Sequence, residues 1–256
     1  MTNLDGETVI VTGASMGLGR SMAVHLATCG ANVALIARNE DKLDAVTEEI
    51  ADIGESGRGD GSTGEPLVVP ADVRDADAVD SAVSATIDRF GAVDTLINNA
   101  GLSALSFGEE RRQLVEIDED EWDRILDVNV KGVYLCTRRV LEAQVERGSG
   151  NVVNISSGLG RMAVPGATAY VTSKWGLEGF TRAVSMEVES EGINVNAMSP
   201  GGQVNTRIWS HLPDEQRENI LQPDVMNEAA ALLAAQGADG VTGESMTAAE
   251  WEHELG

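Results

Sequence analysis

The sequence predicts an α/β fold in one domain: a parallel sheet with helices on both faces. Three observations carry that expectation. Strand and helix signals alternate along the whole chain, the order that builds a parallel sheet. The length of 256 residues and the apolar content of 42% suit one large domain with a full core. The first strand signal runs straight into a glycine-rich turn and then a helix pattern.

Each element has its own signal. Thr8 to Val11 reads as a short buried strand, followed by Thr12-Gly-Ala-Ser-Met-Gly-Leu-Gly19 and a helix to about Cys29, with Gly30 placed to end it. Val33 to Ala37 is the second strand, and a helix from about Glu40 to Ile53 follows. Gly54 to Glu65 is rich in glycine and charge and reads as a surface loop insert (54–65), because the alternation resumes after it. Pro66 to Pro70 carries the third strand, Asp75 to Phe90 is amphipathic, and Val93 to Ile97 is the fourth strand.

A long helix is predicted from about Asp120 to Arg147, and Asn151 to Ile155 is the fifth strand. The next helix spans about Thr168 to Ser190, with Leu177, Phe180, Val184 and Val188 spaced for a buried face. Ile193 to Met198 is the sixth strand, Pro200 to Pro223 is irregular, Val225 to Gln236 is helical, and Val241 to Thr247 is a last strand. About seven strands in this order describe a three-layer, doubly wound Rossmann-type sheet, one domain over 1–256 without internal repeat.

Charge narrows the functional classes. There are 42 acidic against 18 basic residues, a net charge of −24, and the only lysines are Lys42, Lys131 and Lys174. Such an acidic excess argues against nucleic acid or an anionic membrane as partner. At molar salt the Debye length falls to about 3 Å and the self-repulsion is largely screened, so a halophilic cytoplasm is the expected setting. No stretch approaches the roughly 20 apolar residues that span a bilayer, and Met1 to Glu7 does not read as a signal peptide. Cys29 and Cys136, in helix-like segments without metal-ligand neighbours, read as reduced core thiols, and no metal is expected.

The turn after the first strand carries Gly13, Gly17 and Gly19. Glycines there let backbone amides approach a pyrophosphate closely, and the helix N-terminus adds partial positive charge. At the end of the second strand a carboxylate would bind the ribose diol of NAD. Ala37 and Arg38 stand there instead. An arginine pairs with a 2′-phosphate, so NADP(H) is the expected cofactor and NAD(H) the alternative.

Farther along, Ser157, Tyr170 and Lys174 fall within one window. Tyr170 and Lys174 are four residues apart, which puts both on one helix face. A lysine ammonium nearby is expected to lower the phenol's pKa and make it a proton donor and acceptor near neutral pH. A serine hydroxyl can hydrogen-bond a substrate carbonyl or alcohol oxygen. Ser156 competes with Ser157 for that role.

Thr12-Gly13-x3-Gly17-x-Gly19, Asp72-Val73, Asn98-Asn99-Ala100-Gly101, Asn129, Ser157, Tyr170-x3-Lys174 and Pro200-Gly201 together resemble the short-chain dehydrogenase/reductase family, in order and nearly in spacing, along essentially the whole chain. The resemblance implies hydride transfer between a nicotinamide and a carbonyl or secondary alcohol, with Tyr170 as proton donor or acceptor. Lys174 would lower the Tyr170 pKa and hold the nicotinamide ribose, Ser157 would orient the substrate oxygen, and Asn129 would interrupt its helix and anchor a proton relay. Gly13, Ser15, Met16, Gly17, Leu18 and Gly19 would carry the pyrophosphate. Asp72 and Val73 would contact the adenine, and Asn99, Ala100 and Gly101 would lie along the adenosine ribose. Pro200, Gly201, Val204 and Thr206 would shape the nicotinamide pocket. Asn98 reads as structural.

The chain departs from the family pattern in places. Thr206 lies six residues past Pro200 rather than five, and a one-residue bulge would restore its contact. Met16 stands where a basic residue is usual, and the C-terminal strand ends in Thr-Ala-Ala-Glu-Trp. Residues 202–224 are expected to cover the substrate, with Trp209, His211 and Leu212 as lining. A small carbonyl or alcohol is the expected partner. A 3-oxoacyl thioester reductase, a sugar dehydrogenase and a non-catalytic dinucleotide sensor are the alternatives. The family resemblance also implies a homo-oligomer, a tetramer or dimer, paired through the Asn129 and Tyr170 helices.

Overall fold

The computed structural model of the chain describes residues 2–55, 63–107, 111–209 and 212–256. Seven parallel strands form one sheet in the order β3-β2-β1-β4-β5-β6-β7. They are β1 (Thr8–Thr12), β2 (Asn32–Ala37), β3 (Pro66–Pro70), β4 (Thr95–Asn98), β5 (Gly150–Ile155), β6 (Ile193–Ser199) and β7 (Ser245–Thr247). The order reverses between β1 and β4, and a crevice at the carboxyl ends of the strands opens at such a reversal. The β1–β2 register pairs Thr8 with Asn32 and Thr12 with Ile36, and the β1–β4 register pairs Val11 with Ile97.

Alternate residues of the buried strands feed two cores. Val9, Val11, Val33, Leu35, Ile97 and Val153 point to one face. There they meet α1 (Gly17–Thr28), α2 (Glu40–Glu55), α8 (Asn227–Ala234) and α9 (Ala248–Leu255). Ile10, Ala34, Leu96, Val152 and Val195 point to the other face. They meet α3 (Ala76–Phe90), α5 (Val133–Arg147) and α6 (Thr168–Val188). The remaining helices are α4 (Glu119–Leu126) and the short α7 (Asp214–Glu218). Cys29 and Cys136 are buried and unbridged, one in each core, and burial pushes the Cys136 thiol up to about 12.

Three expectations need correction. The helix expected from Asp120 to Arg147 is instead α4, a π-helical segment Asp127–Gly132, and α5, the interruption falling at Asn129 as the resemblance implies. The wide turn carries the Asn129 side chain onto the backbone of Leu102, a long-range contact that a continuous apolar stripe does not announce. The strand expected over Val241 to Thr247 shortens to Ser245–Thr247. The residues after it form α9, for which no helix was expected. Thr247 caps that helix: its Oγ1 accepts from Glu250 N at 3.3 Å, and Glu250 Oε2 accepts from Thr247 N at 2.7 Å, the reciprocal pairing of a capping box. Trp251, expected in a trailing strand, is fully buried on α9. The stretch Pro200 to Pro223 contains a short helical turn, Arg207–Trp209, and α7. Of the loop insert, residues 56–62 lie outside the described residues, and α2 continues through Gly54 to Glu55 before it.

Candidate active site

The glycine turn is shaped by the residues that follow β4. Gly13 and Gly17 have φ of 69° and 56°, values that side chains disfavour. Thr12 Oγ1 accepts from Asn99 N at 3.0 Å and Ala100 N at 3.1 Å, and Asn99 Nδ2 donates to Thr12 O at 2.9 Å. A Cβ on Gly13 would lie 2.9 Å from both Ala100 Cα and Asn99 Nδ2, and one on Gly19 would overlap Asn99 Nδ2 and Gly13 O. The Asn99 side chain is therefore committed to knitting β4 to this turn. Ser15 and Met16 lie half-buried in the turn, and Leu18 packs against the core. Met16 precedes α1 in an extended conformation without a side-chain cap, and the first turn of α1 carries no acid. That leaves a helix start able to receive an anion.

The adenosine end is a corner of mixed charge. Arg38 is exposed at the end of β2. The Arg74 guanidinium forks Asp72, with Nε to Oδ1 at 3.0 Å and Nη2 to Oδ2 at 2.7 Å. The Arg74 bonds, with the Arg38 charge adding to them, hold the Asp72 carboxyl below its ordinary range. Arg74 was not among the expected site residues; only its D-x-R spacing hinted at it. Val73 is buried against Gly132, where a Cβ would lie 2.8 Å from Val73 Cγ2.

The central group gathers as the sequence suggested. Ser157 precedes the short turn Gly158–Gly160, and its Oγ accepts from Leu159 N at 3.2 Å. Its side chain acts on the Tyr170 phenol in the direction that favours phenolate. Lys174 is 6% exposed, and its Nζ donates to Ile155 O at 2.7 Å and lies 5.7 Å from the Tyr170 ring centre. Asn129 Oδ1 accepts from Leu102 N at 2.7 Å, and its Nδ2 donates to Leu102 O at 2.8 Å and Ser173 Oγ at 2.9 Å. Ser173 donates onward to Tyr170 O at 2.7 Å, so it ties the π-helical segment to the tyrosine; it was missed because a small polar residue inside a helix carries no signal of its own. Gly101 lies beside both anchors: a Cβ there would be 3.5 Å from Asn129 Oδ1 and 3.9 Å from Lys174 Nζ. Ser156 hydrogen-bonds Glu178 and is buried, so Ser157 is the serine left for the site. Asn98 bonds Thr137 and Asn154 inside the sheet, a structural place as expected.

The expected sign of the tyrosine shift is wrong. Burial pushes the Tyr170 phenol up, and Ser157 opposes this only in part. The Lys174 amine is held on the Ile155 carbonyl, and its own burial lowers it to about 8, against a smaller opposing pull from Glu178. Lys174 is buried and Tyr170 half-buried, and a four-residue spacing on a helix does not reveal either.

The loop after β6 brings its residues over the turn. Pro200 follows the strand, and Gly201 has φ of 81° near Thr247. Val204 is buried and bridges Leu221. Thr206 reaches Gly17, its Cγ2 lying 3.3 Å from where a Cβ on that glycine would be. Trp209 ends the turn at 207–209, which packs on the segment Ala104–Phe107. Leu212 N donates to Trp209 O at 3.0 Å, and His211 lies outside the described residues. Among the described residues no three His, Cys, Asp or Glu side chains are grouped to hold a metal, and no helix is long and apolar enough to cross a membrane.

Comparison with known proteins fits this geometry. The short chain dehydrogenase family matches residues 7–217. A 3-oxoacyl-(acyl-carrier-protein) reductase FabG of Staphylococcus aureus is 34% identical over 251 residues, covering 94% of this chain and 95% of its own. A 3-oxoacyl-(acyl-carrier-protein) reductase of Synechocystis sp. is 37% identical over 202 residues, covering 78% of this chain and 76% of its own. A metagenomic short-chain oxidoreductase solved in complex with NADP superposes with a TM-score of 0.78 at 32% identity, covering 95% of this chain and 97% of that one. The chain belongs to the short-chain dehydrogenase/reductase family, and it is an oxidoreductase of the class that acts on a carbonyl or CH–OH group.

Proposed function

We propose that this enzyme is an NADP(H)-preferring carbonyl reductase whose substrate is a 3-oxoacyl thioester. The observation that carries the reading is the Ser157–Tyr170 hydroxyl pair beside buried Lys174. The cofactor reading is supported by the glycine turn with its acid-free helix start and by exposed Arg38 where an NAD-selecting carboxylate would stand. The NADP complex of the metagenomic relative points the same way. The thioester comes from the printed activity of the 3-oxoacyl reductase relatives.

When bound, the nicotinamide supplies the hydride to the substrate carbon. Ser157 would hydrogen-bond the carbonyl oxygen and Tyr170 would deliver the proton that completes the alcohol. Burial that raises the phenol favours its protonated, proton-donating form. Lys174 would hold the ribose hydroxyls and return a proton to Tyr170, and Asn129 would fix the segment around Leu102.

The acidic surface supports a working environment of high salt. Exposed Tyr134 and Val145 on α5, and Trp175 and Met186 on α6, support a homo-oligomer that covers them.

The deciding experiment follows nicotinamide absorbance with NADPH or NADH, offering a 3-oxoacyl thioester beside simple ketones. Tyr170→Phe is expected to lose at least about 100-fold in turnover and still bind NADPH. Turnover within about tenfold of the parent protein would contradict the assignment.

A further inference from the structure

We propose that Glu178 is a positioning residue: with Lys174 it holds the two residues ahead of Ser157 and so sets the serine against Tyr170. The inference rests on the reading that Ser157 and Tyr170 handle the proton. Tyr170, Lys174 and Glu178 recur every four residues along α6 and share one face. Lys174 Nζ holds the carbonyl of Ile155 at 2.7 Å. One turn on, the Glu178 carboxylate accepts the hydroxyl proton of buried Ser156. Consecutive residues of the strand end are thus fixed by consecutive turns of one helix, and Ser157 comes next.

Gly160 makes the approach feasible. A Cβ there would lie 2.9 Å from Ser156 Oγ and 3.0 Å from Glu178 Oε1. Arg161 faces the same carboxylate, with Nε 3.9 Å away, and its Nη2 donates to Ser245 Oγ at 3.1 Å. The Glu178 side chain is only 17% exposed, so its charge is poorly screened. Lys174 faces Glu178 and Tyr170 on its own helix and uncharged Asn129 near Gly101, with Arg161 beyond Glu178. Neutralising Glu178 removes a field that favours the Lys174 ammonium.

Three variants separate hydrogen bond from charge. Ser156→Ala removes the bond and keeps the charge. Glu178→Gln removes the charge and keeps an acceptor, and Glu178→Ala removes both. Expected for Ser156→Ala and Glu178→Ala is a fall in kcat of about tenfold or more, with KM for NADPH within about twofold, since small misplacement of a reacting group is costly. Expected for Glu178→Gln is an alkaline limb of the pH–rate profile moved to lower pH.

A readout independent of turnover uses the fact that the chain has two tyrosines, Tyr134 and Tyr170. In a Tyr134→Phe background, tyrosinate absorbance reports Tyr170 alone. Ser156→Ala, which keeps the Glu178 charge, should move that titration to higher pH, because the Ser157 influence that favours phenolate is weakened. The proposal is overturned if kcat of both alanine variants stays within about twofold of the parent, or if the tyrosinate titration does not move. A parent protein inactive on every carbonyl would instead refute the proposed function, and the titration would still decide the role of Glu178.

Discussion

Replacing Lys174 with Met should abolish turnover and yet stabilise the fold at neutral pH. The amine is 6% exposed and its burial lowers it to about 8. In the unfolded chain the same amine has a pKa of about 10.4. Below about pH 8 the lysine is charged in both states, and the folded state bears the whole cost of burying it, roughly 3 kcal/mol. Against this stands the bond to Ile155 O at 2.7 Å, which contributes about 1 kcal/mol and leaves an unpaired acceptor costing about 1 more when lost. The net expectation is a gain of about 1 kcal/mol for Lys174→Met at pH 7.

The sign changes with pH. Between the folded and unfolded values the unfolded chain binds more protons, so Lys174 makes the parent protein more stable as pH rises through that window. Above it the lysine is neutral in both states, and the variant should be the less stable by about 2 kcal/mol. Urea denaturation of both proteins at about pH 7, 8.5 and 10, in fixed salt, reads the crossover. A variant less stable at the lowest pH, or a difference that does not change with pH, would refute the reasoning.

Other outcomes follow from packing and charge. Trp251→Ala should cost about 3–5 kcal/mol, since the ring is fully buried and its indole donates to Ala197 O at 2.9 Å; a loss under about 1 kcal/mol in urea denaturation would mean that α9 is dispensable. Gly19→Ala should weaken NADPH binding at least about tenfold and destabilise by about 1–3 kcal/mol, because the new Cβ overlaps Asn99 Nδ2 and the Gly13 carbonyl; equilibrium fluorescence titration checks it, and parental affinity would count against this packing. With a net charge of −24, the urea midpoint should rise between about 0.1 M and 2 M NaCl. A flat or falling midpoint would remove the argument for a high-salt setting.

Buried strands are legible because they are short apolar runs, and β1 to β6 start and stop within two residues of expectation. Ser157, Tyr170 and Lys174 gather because a strand end and a helix start were both readable, and the helix period did the rest. What escaped depended on partners distant in sequence. Asn129 reaches Leu102 across 27 residues and Glu178 reaches Ser156 across 22, and neither contact leaves a periodic mark. The Thr247-Ala-Ala-Glu250 capping box carries its own sequence signature for the start of α9, directly after the strand expected to end at Thr247. The Tyr170 shift was misjudged because spacing gives proximity and says nothing of desolvation.

α6 buries polar groups on a face where a helix ordinarily buries aliphatic ones. Ser173, Lys174 and Thr181 are all buried, and Val184 and Val188 follow on the same helix. Such a face is tolerable only if every group finds a partner. Thr181 accepts from Asn154 Nδ2 at 2.9 Å, and Asn154 accepts from Asn98, which also donates to Thr137 on α5. This ladder crosses β5 and β4 beneath the site and ties α6 to α5 through side chains that cannot slide without losing bonds. An apolar contact of the same area would tolerate small shifts of register; a chain of amides does not. The tyrosine and the serine therefore sit on elements whose relative position is fixed by geometry rather than by area. The loop from Pro200 onward contributes no residue to this ladder, so a change in its length need not disturb the proton-handling pair.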